Sequence, residues 1–381
     1  MATIFHLDLD AFFVSVERIL DPSLEGKAVI VGGDPQGRGV VAACSYEARA
    51  FGLHSAMPIR DAFRRCPDGI YLHGHGKEYT RYSKAVKNIL EHYAPVMEQA
   101  SIDEFYMDFS GCEKIYGHPY VLALRLQAEI KKELSLPCSI GIASNKFVAK
   151  IGSDYAKPEG ITYVIAGQEQ EFLAPLPIET MPGIGRVTTK ELNARGFRII
   201  KDITNASSEY FSLLFGKYGN AIYDHAHGKG TEFLTVERER KSIGREETFQ
   251  TDLAEHKEIE NILFHLVEDV CNSLRKKGWM AKTITLKLRY SDFITLTRSQ
   301  TFKEPANSDK VIFNAAVELF RNAYKRRVTI RLIGIQLTNF YSSFEQENLF
   351  DGKDEKEKRM LQAVDALRQK YGIKIVHYGV V

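Results

Sequence analysis

The sequence predicts an α+β protein of several domains, because strand-like and helix-like segments alternate at both ends of the chain and a helical stretch separates them. Residues 3–143 follow the β-α-β-β-α-β order of a ferredoxin-like sheet. Residues 168–228 show only helical spacing, and residues 242–340 form a second α+β pattern. A chain of 381 residues has room for about two to four such domains.

The first unit begins with an alternating, β-rich segment over 3–9 and an amphipathic helix over 11–20. Gly-rich residues 32–39 lack the GxxxxGK[ST] pattern, so they predict a loop and no phosphate site. The other predicted elements are strands over 27–31 and 40–43, short helices over 46–51 and 58–65, a helix over 78–93, a hairpin of strands over 96–100 and 105–109, a helix over 120–134 and a strand over 138–143.

The second half divides at a charged segment over 231–241, TEFLTVERERK, which has no sustained period and predicts a linker. Strands over 242–249, 283–290, 294–302 and 329–340 and helices over 255–277 and 310–324 follow it. The tail is polar and then helical, with Leu361, Val364 and Leu367 expected on one face.

Composition excludes several classes of protein. Fifty-one Lys and Arg against 49 Asp and Glu give a net charge of +2, and 26% charged with 44% hydrophobic residues is ordinary for a globular protein. Without a basic leader or an 18-residue apolar run, we expect a cytoplasmic protein outside the membrane. The five cysteines are far apart, which predicts reduced thiols in place of a zinc site or disulfides: Cys44, Cys66, Cys112, Cys138 and Cys271.

Acidic residues end the first strand and begin the hairpin. Asp8 and Asp10 close the strand, and Asp103 and Glu104 lie at the hairpin turn, which neighbours that strand in a ferredoxin-like sheet. Converging carboxylates need a cation, and oxygen ligands favour Mg²⁺ or Mn²⁺. Asp8 and Asp10 should share a face, with one of them reaching two ions and the carbonyl of Leu9 as an extra ligand. The alternative is a merely polar strand end.

Four motifs occur together with these carboxylates, in the order Asp8-Leu9-Asp10-Ala11-Phe12-Phe13, Tyr46-Glu47-Ala48-Arg49, Ser101-Ile102-Asp103-Glu104 and Ala156-Lys157-Pro158. Together they resemble the Y-family translesion DNA polymerases, above all their bacterial branch, over roughly residues 1–342. The resemblance implies a monomeric right-hand polymerase that copies primer-template DNA from dNTPs past damaged bases, at low fidelity and without proofreading. It implies a palm over 1–18 and 77–167, fingers over 19–76, a thumb over 168–230, a linker over 231–241, a little finger over 242–342 and a tail over 343–381.

Carried onto this sequence, the resemblance assigns Asp8, Asp103, Glu104 and the Leu9 carbonyl to two Mg²⁺ ions, with Mn²⁺ as a substitute. Phe13 resembles the steric gate against ribonucleotides, and Phe12 would pack beside it. Tyr46, Arg49 and Lys157 resemble triphosphate contacts. Simpler interpretations are core aromatics for Phe12 and Phe13, an exposed helical pair for Tyr46 and Arg49, and a solvated loop lysine for Lys157.

Two further regions resemble DNA-gripping elements. Gly183, Ile184 and Gly185, followed by Arg186 and Lys190, resemble a helix-hairpin-helix whose backbone N–H groups approach a phosphate, although a simple interhelical turn would look similar. Basic residues of the C-terminal unit predict a face for the DNA backbone, although a charge cluster alone is usually a solvated surface: Arg245, Lys287, Arg289, Arg298 and Arg331.

Residues Gln346, Leu349 and Phe350 fit the QxxLF peptide with which bacterial polymerases bind a sliding clamp, and such short patterns also arise by chance. Two other functions compete with the polymerase. A nucleotide cyclase would also use a ferredoxin-like palm but needs no helix-hairpin-helix, and a non-catalytic DNA and clamp adaptor would have no need of the retained carboxylates.

Overall fold

The computed structural model describes residues 2–237, 239–342 and 352–372, with only the backbone described for residues 352–358. The described strands are β1 Ile4–Leu9, β2 Val29–Val31, β3 Ala43–Cys44, β4 Ile70–Leu72, β5 Val96–Gln99, β6 Glu104–Asp108, β7 Cys138–Ala143, β8 Ile161–Tyr163, β9 Ser242–Leu253, β10 Trp279–Tyr290, β11 Thr295–Ala306 and β12 Ile330–Ser342. The described α-helices are α1 Phe12–Leu20, α2 Tyr46–Arg49, α3 Ile59–Arg65, α4 Gly76–Glu91, α5 Glu113–Tyr116, α6 Pro119–Leu134, α7 Lys146–Tyr155, α8 Glu169–Leu173, α9 Arg186–Ala194, α10 Ile200–Thr204, α11 Ser208–Phe215, α12 Lys217–Ala226, α13 His256–Arg275, α14 Asp309–Ala323 and α15 Gly352–Tyr371.

The chain forms two compact units, Met1–Arg238 and Glu239–Val381. The first contains a five-stranded sheet in the order β5-β6-β1-β7-β8, with β1 antiparallel to both β6 and β7. This arrangement confirms the predicted ferredoxin-like sheet. Strand β1 is fully buried because both faces of the sheet are covered.

The two faces of β1 have different neighbours. Phe5 and Leu7 face a core that contains residues of α4 and α6, whereas Ile4 shares a core cluster with Val148 and Ile151 of α7. Helix α7 packs directly on β7, since a Cβ at Gly141 would collide with the backbone carbonyl of Ala149. The side of β1 that carries Ile4, His6 and Asp8 is therefore the side covered by α7.

A small three-stranded sheet, β3-β2-β4, lies within the insertion between α1 and α4 and packs with α2 and α3. Helices α8 to α12 confirm the predicted helical stretch. The first part of the predicted linker is bound to the large sheet and α7. The backbone N–H of Lys146 donates to Thr231 O at 3.0 Å, and the N–H of Thr235 donates to Glu98 Oε2 at 2.7 Å.

The second unit is a four-stranded antiparallel sheet in the order β11-β10-β12-β9, with α13 and α14 packed on one face. Helix α15 buries Leu361 and Arg368, while Leu367 is 44% exposed. The expectation that Leu367 shares the buried face was therefore wrong. Residues seven apart return to the same side of a helix and residues six apart do not, so Arg368 follows Leu361.

All five cysteines are buried and free. Within the part of the chain that the structure describes, no helix has the length and apolar character needed to cross a membrane.

Candidate active site

The predicted carboxylates meet at one end of the large sheet. Asp8, near the end of β1, is the register partner of Glu104, which begins β6. The backbone N–H of Leu9 donates to the carbonyl of Asp103 at 3.0 Å, which ties the hairpin turn to the strand end. The strand end and the hairpin turn, far apart in sequence, are thus neighbours, as the sequence predicted.

Two lysines pair with Asp8 and Glu104 of this acidic group. Lys157 Nζ lies 2.8 Å from Asp8 Oδ2 and 2.6 Å from Asp154 Oδ1, and Lys150 Nζ lies 2.6 Å from Glu104 Oε1. The carboxylates therefore already hold positive charge, and an all-oxygen donor set suits Mg²⁺ or Mn²⁺. Among the residues described, no three His, Cys, Asp or Glu side chains converge on one point. A metal ion would have to draw the carboxylates together and displace the lysines.

The pKa values of Asp8 and Glu104 shift in opposite directions. Burial raises the pKa of Asp8 to about 7, against the attraction of Lys157. The imidazole of His6 and the ammonium of Lys150 face the carboxyl group of Glu104 and lower its pKa to about 2. Glu104 is thus a permanent carboxylate at neutral pH, whereas protons compete for Asp8.

Asp10 ties three segments of the chain together by hydrogen bonds. Its buried carboxylate accepts hydrogen bonds from Ser139 Oγ at 2.9 Å, from the N–H of Glu159 at 2.8 Å and from the Tyr46 hydroxyl at 3.4 Å. Strand β1 ends at Leu9 and Ala11 has a φ of 43°, so the alternation that predicted a shared face stops before Asp10. Of the two aspartates, Asp8 is therefore the candidate ligand for a cation.

The predicted nucleotide residues line one cavity beside these carboxylates. Its volume is about 170 Å³. Its walls are Asp8, Leu9, Ala11, Phe12, Phe13, Ala42, Ala43, Tyr46, Arg49, Ser55, Asp103 and Lys157. Glu104 lies outside this lining, beside Lys150.

The aromatic residues of the cavity divide into a core residue and a half-exposed one. Phe12 is 2% exposed and belongs to the main core, so the core interpretation holds for it even though it touches the cavity. The half-buried ring of Phe13 stacks on Tyr79, with ring centroids 4.2 Å apart. The Tyr79 hydroxyl donates to Glu17, which also accepts from His75 Nδ1 at 2.9 Å. A hydrogen-bonded chain therefore fixes the ring behind Phe13.

Tyr46 and Arg49 enter the cavity from α2. Ser45 caps this helix by accepting from the N–H of Ala48, and the Arg49 guanidinium lies 4.6 Å from the centre of the Tyr46 ring. Lys157 reaches the same cavity from the loop after α7. Arg49 is exposed and stacks on Tyr46, so the two do form a helical pair, but Tyr46 is half-buried and both residues line the cavity. Lys157 is paired with Asp8 and is not a solvated loop lysine.

The glycine segment before α9 has the expected form. Gly183 has a φ of 95° and its carbonyl accepts from the Tyr218 hydroxyl at 2.8 Å, while Gly185 is the N-cap of α9. Arg186 Nη2 lies 3.0 Å from His54 Nε2. A shallow depression of about 540 Å³ is lined by Ile184, Gly185, Arg186, Thr189, Lys190, Asn193 and Glu179.

The basic residues of the second unit do not all share one face. Lys287 and Arg289 of β10 alternate with buried Leu286 and Leu288, so both face away from α13 and α14. Lys287 Nζ lies 2.6 Å from Glu246 Oε2.

The edge strands place two arginines differently. Arg298 is the register partner of Leu286, and Arg245 is the partner of buried Ile335, so both arginines project on the helix-covered side. The Arg331 guanidinium lies 4.7 Å from the ring centre of Phe293. The predicted clamp residues Gln346, Leu349 and Phe350 lie outside the described residues.

Comparison with known sequences decides the family. Residues 7–154 match the impB/mucB/samB family, residues 240–349 match its C-terminal domain, and residues 167–197 match the IMS family HHH motif. The chain is 39% identical to DNA polymerase IV of Dehalococcoides mccartyi over 99% of its length and 96% of the relative. It is 40% identical to DNA polymerase IV of Listeria innocua over 88% of its length and 94% of the relative. The chain belongs to the Y family of DNA polymerases.

Solved structures agree with this assignment. A Y-family DNA polymerase chimera, Dbh-Dpo4(243-245)-Dbh, matches with a TM-score of 0.78 and 30% identity over 88% of this chain and 98% of that one. An insertion ternary complex of Dbh DNA polymerase matches with a TM-score of 0.61 and 29% identity over the same shares. The chain is a DNA-directed DNA polymerase of the lesion-bypass class and depends on divalent metal, which confirms the polymerase prediction over the adaptor.

Sequence reasoning missed three residues of α7 that lie close to the carboxylates or to His6. Lys150 pairs with Glu104, Asp154 pairs with Lys157, and Ser153 bonds His6, but the sequence predicted no helix between residues 143 and 168. A signal was present, since Asn145 caps the helix by accepting from the N–H of Val148 and apolar residues follow at helical spacing. The role of His6 as a neighbour of Glu104 had no sequence signal, because it depends on strand register.

Proposed function

We propose that Asp8, Asp103 and Glu104 are the carboxylates that hold the metal ions during nucleotidyl transfer, with the carbonyl of Leu9 as a further ligand. The observation that carries this proposal is the shared cavity, which brings Asp8 and Asp103 together with five predicted nucleotide residues. Two Mg²⁺ ions, for which Mn²⁺ can substitute, would supply the charge that activates the primer 3′-hydroxyl and stabilises departing pyrophosphate.

Three donors in the cavity serve the triphosphate. Arg49 and Lys157 offer positive charge and Tyr46 offers a hydroxyl, so together they can offset much of the charge of a triphosphate. Lys157 must leave Asp8 to do this, because its ammonium is 2.8 Å from that carboxylate in the free protein. We propose that the triphosphate takes over Lys157 as its counterion and leaves Asp8 to a metal ion.

Phe13 is the proposed steric gate. Its ring borders the cavity and rests on Tyr79, so it cannot yield when a ribose 2′-hydroxyl approaches. Phe12 supports it from the core, with ring centroids 5.7 Å apart. The two rings therefore select deoxynucleotides by excluding volume.

Primer-template DNA is the proposed polymeric substrate. Relatives of known structure include an insertion ternary complex and a post-insertion binary complex of Dbh DNA polymerase. Backbone N–H groups at Gly183, Ile184 and Gly185, with Arg186 and Lys190, would grip phosphates without reading bases. In the second unit Lys287 and Arg289 lie on the open face of the sheet. Arg245 and Arg298 would meet DNA only from the edge strands, and Arg331 from the start of β12.

The domain assignment remains a proposal. We assign residues 1–18 and 77–167 to the palm, 19–76 to the fingers, 168–230 to the thumb and 242–342 to the little finger. We also propose that the enzyme acts as a cytoplasmic monomer, in keeping with its unpaired cysteines. Residues Gln346, Leu349 and Phe350 would bind a sliding clamp as a linear motif.

Primer extension tests the site. The parent should extend a primed template with Mg²⁺ and dNTPs, and Asp103→Ala should lower the rate at least about a hundredfold. Asp108→Ala, at the other end of β6, is the matched control and should extend like the parent. Phe13→Ala should admit rNTPs. Normal extension by Asp103→Ala, or no extension by the parent while DNA binding is intact, would contradict the proposal.

A further inference from the structure

His6 is a buried polar residue that the proposed mechanism has not yet used. Its side chain is fully buried, and its Nδ1 lies 2.7 Å from Ser153 Oγ. Among the described residues, its Nε2 has no hydrogen-bond partner and lies 3.6 Å from Glu104 Oε2. A buried ring nitrogen without a partner costs free energy, so its retention needs an explanation.

The fold prevents the imidazole from turning away. His6 is the register partner of Tyr106, whose ring centroid lies 4.5 Å from that of the imidazole, and Asp8 is the partner of Glu104 two residues further along. On the other side Ser153, on α7, holds Nδ1. The ring is therefore fixed with Nε2 directed toward one oxygen of a proposed metal ligand.

Ser153 decides which ring nitrogen of His6 carries the proton. A neutral imidazole carries one proton, either on Nδ1 or on Nε2. The single hydroxyl hydrogen of Ser153 can go to the Lys150 carbonyl, 2.8 Å away, or to His6 Nδ1. In the first case Nε2 is bare and faces a carboxylate, which repels it. In the second case Nε2 carries the proton and can donate to Glu104, while the Lys150 carbonyl keeps its bond within α7.

We propose that His6 is a positioning residue whose Nε2–H donates to Glu104 Oε2 when the carboxylate takes up metal. This rests on the proposed role of Glu104 as a metal ligand. A shift of about 0.6 Å brings the 3.6 Å separation into hydrogen-bond range. The bond fixes Oε2, so Oε1, now bound by Lys150, becomes the oxygen that exchanges its ammonium partner for the ion. Ligand-orienting hydrogen bonds of this kind are general in metal sites.

Two amide substitutions separate positioning from mere packing. In His6→Gln the terminal amide reaches the place of Nε2, whereas in His6→Asn it reaches only the place of Nδ1 and can still bond Ser153. Both remove the imidazole and introduce an amide, so they form a matched pair. We expect Mn²⁺ to bind His6→Asn about tenfold more weakly than the parent and His6→Gln within about twofold. Free Mn²⁺ is measured by electron paramagnetic resonance on the full chain without DNA or nucleotide.

A second measurement reads the protonation of the ring in the parent, and a variant is needed only to assign the resonance. In the spectrum of ¹⁵N-histidine-labelled protein, the resonance that His6→Gln removes belongs to His6. We expect the proton on Nε2 in the presence of Mg²⁺. A bare Nε2 with Mg²⁺, or equal Mn²⁺ affinities of the Asn and Gln variants, would overturn the inference.

Glu104→Gln separates this inference from the proposed function. If this variant binds Mn²⁺ like the parent, Glu104 is not a ligand and the proposed site fails. If Glu104→Gln binds weakly while both His6 variants bind like the parent, only the inference about His6 fails.

Discussion

Asp8 combines burial with a position at the proposed metal site, and this makes metal binding sensitive to pH. Burial raises its pKa to about 7, so below that pH the folded protein holds a proton where the cation must bind. We expect Mn²⁺ affinity to fall about tenfold for each pH unit below about 7 and to level off above it. Titrations at pH 6, 7 and 8 check this. Constant affinity across that range would show that proton and metal do not compete at Asp8.

The stack between Phe13 and Tyr79 predicts a second effect at single residues. Tyr79→Leu removes the ring that backs the gate, and aromatic pairs contribute about 0.5–1.5 kcal/mol, so discrimination against rNTPs should fall up to about tenfold. Tyr79→Phe keeps the ring and loses only the bond to Glu17, so it should retain most of the discrimination. Rates of dNTP and rNTP incorporation measure both. Unchanged discrimination in Tyr79→Leu would mean that Phe13 needs no support.

At this scale the sequence identified the residues but not their partners. Asp8, Asp103, Phe13 and Lys157 were predicted from motifs, and they line one cavity. That Lys157 binds Asp8 in the free protein could not be predicted, because the contact depends on how the loop after α7 returns to the end of β1.

A buried ion pair joins β5 to the start of α7 and to the chain leaving the first unit. Glu98 is 1% exposed, and its Oε2 lies 2.5 Å from Lys146 Nζ. Glu98→Ala leaves a mostly buried ammonium unpaired and should lower the free energy of unfolding by about 3 kcal/mol. Urea unfolding followed by circular dichroism measures it. Glu91→Ala breaks an exposed pair with Lys87 and should cost less than about 0.5 kcal/mol. Similar losses of unfolding free energy in Glu98→Ala and Glu91→Ala would show that the buried pair does not stabilise the protein more than the exposed one.

Helix α15 depends on buried charge. Arg368 bonds Asp309 of α14 at 3.2 Å and also Glu268 of α13, and Arg275 holds Asp365 of α15. Arg368→Ala should destabilise the second unit by about 3 kcal/mol, because two buried carboxylates lose a partner.

The neighbouring exposed residue supplies the control for this helix. Gln369→Ala should change stability by less than about 0.5 kcal/mol. Trp279, the single tryptophan, stacks on Phe340 within the same unit, so its fluorescence in urea reports this unfolding. Equal midpoints for the two variants would show that α15 does not need the network.

Elements with a clear period were predicted, whereas several short ones were not. Strands β4 and β8 have three residues each, too few for alternation to be recognised. Helix α7 has an N-cap and a buried face, but its apolar residues alone could also belong to the end of a strand and the loop after it. Its packing on Gly141 of β7 is a tertiary fact that no local pattern contains.

The whole molecule has a net charge of only +2, so DNA affinity must come from local surfaces. Each phosphate contact contributes about 0.9 to the slope of log Kobs against log salt concentration. Lys287→Ala combined with Arg289→Ala should therefore lower that slope by nearly 2. Lys257→Ala combined with Lys310→Ala, on the helices that cover the other face, is the matched control and should leave it unchanged. An equal slope in both double variants would show that the open face of the sheet does not contact the DNA backbone.

At this scale the sequence predicted the order of the units along the chain, but not on which face of the second sheet each basic side chain lies. Alternation along one strand placed Lys287 and Arg289 together. Arg245 and Arg298 required the register between strands, which sets Leu286 against Arg298 and Ile335 against Arg245. Register comes from the hydrophobic pattern of several strands at once, and a single strand does not carry it.

The burial of all five cysteines has a practical consequence for observing this enzyme at work. Burial raises the pKa of Cys44, Cys66 and Cys112, and of Cys138 and Cys271 as well, so native thiols should resist maleimide dyes. A cysteine in place of exposed Lys84 and another in place of exposed Lys325 would put one dye on each unit. Single-molecule energy transfer could then follow the two units during synthesis with every native cysteine in place.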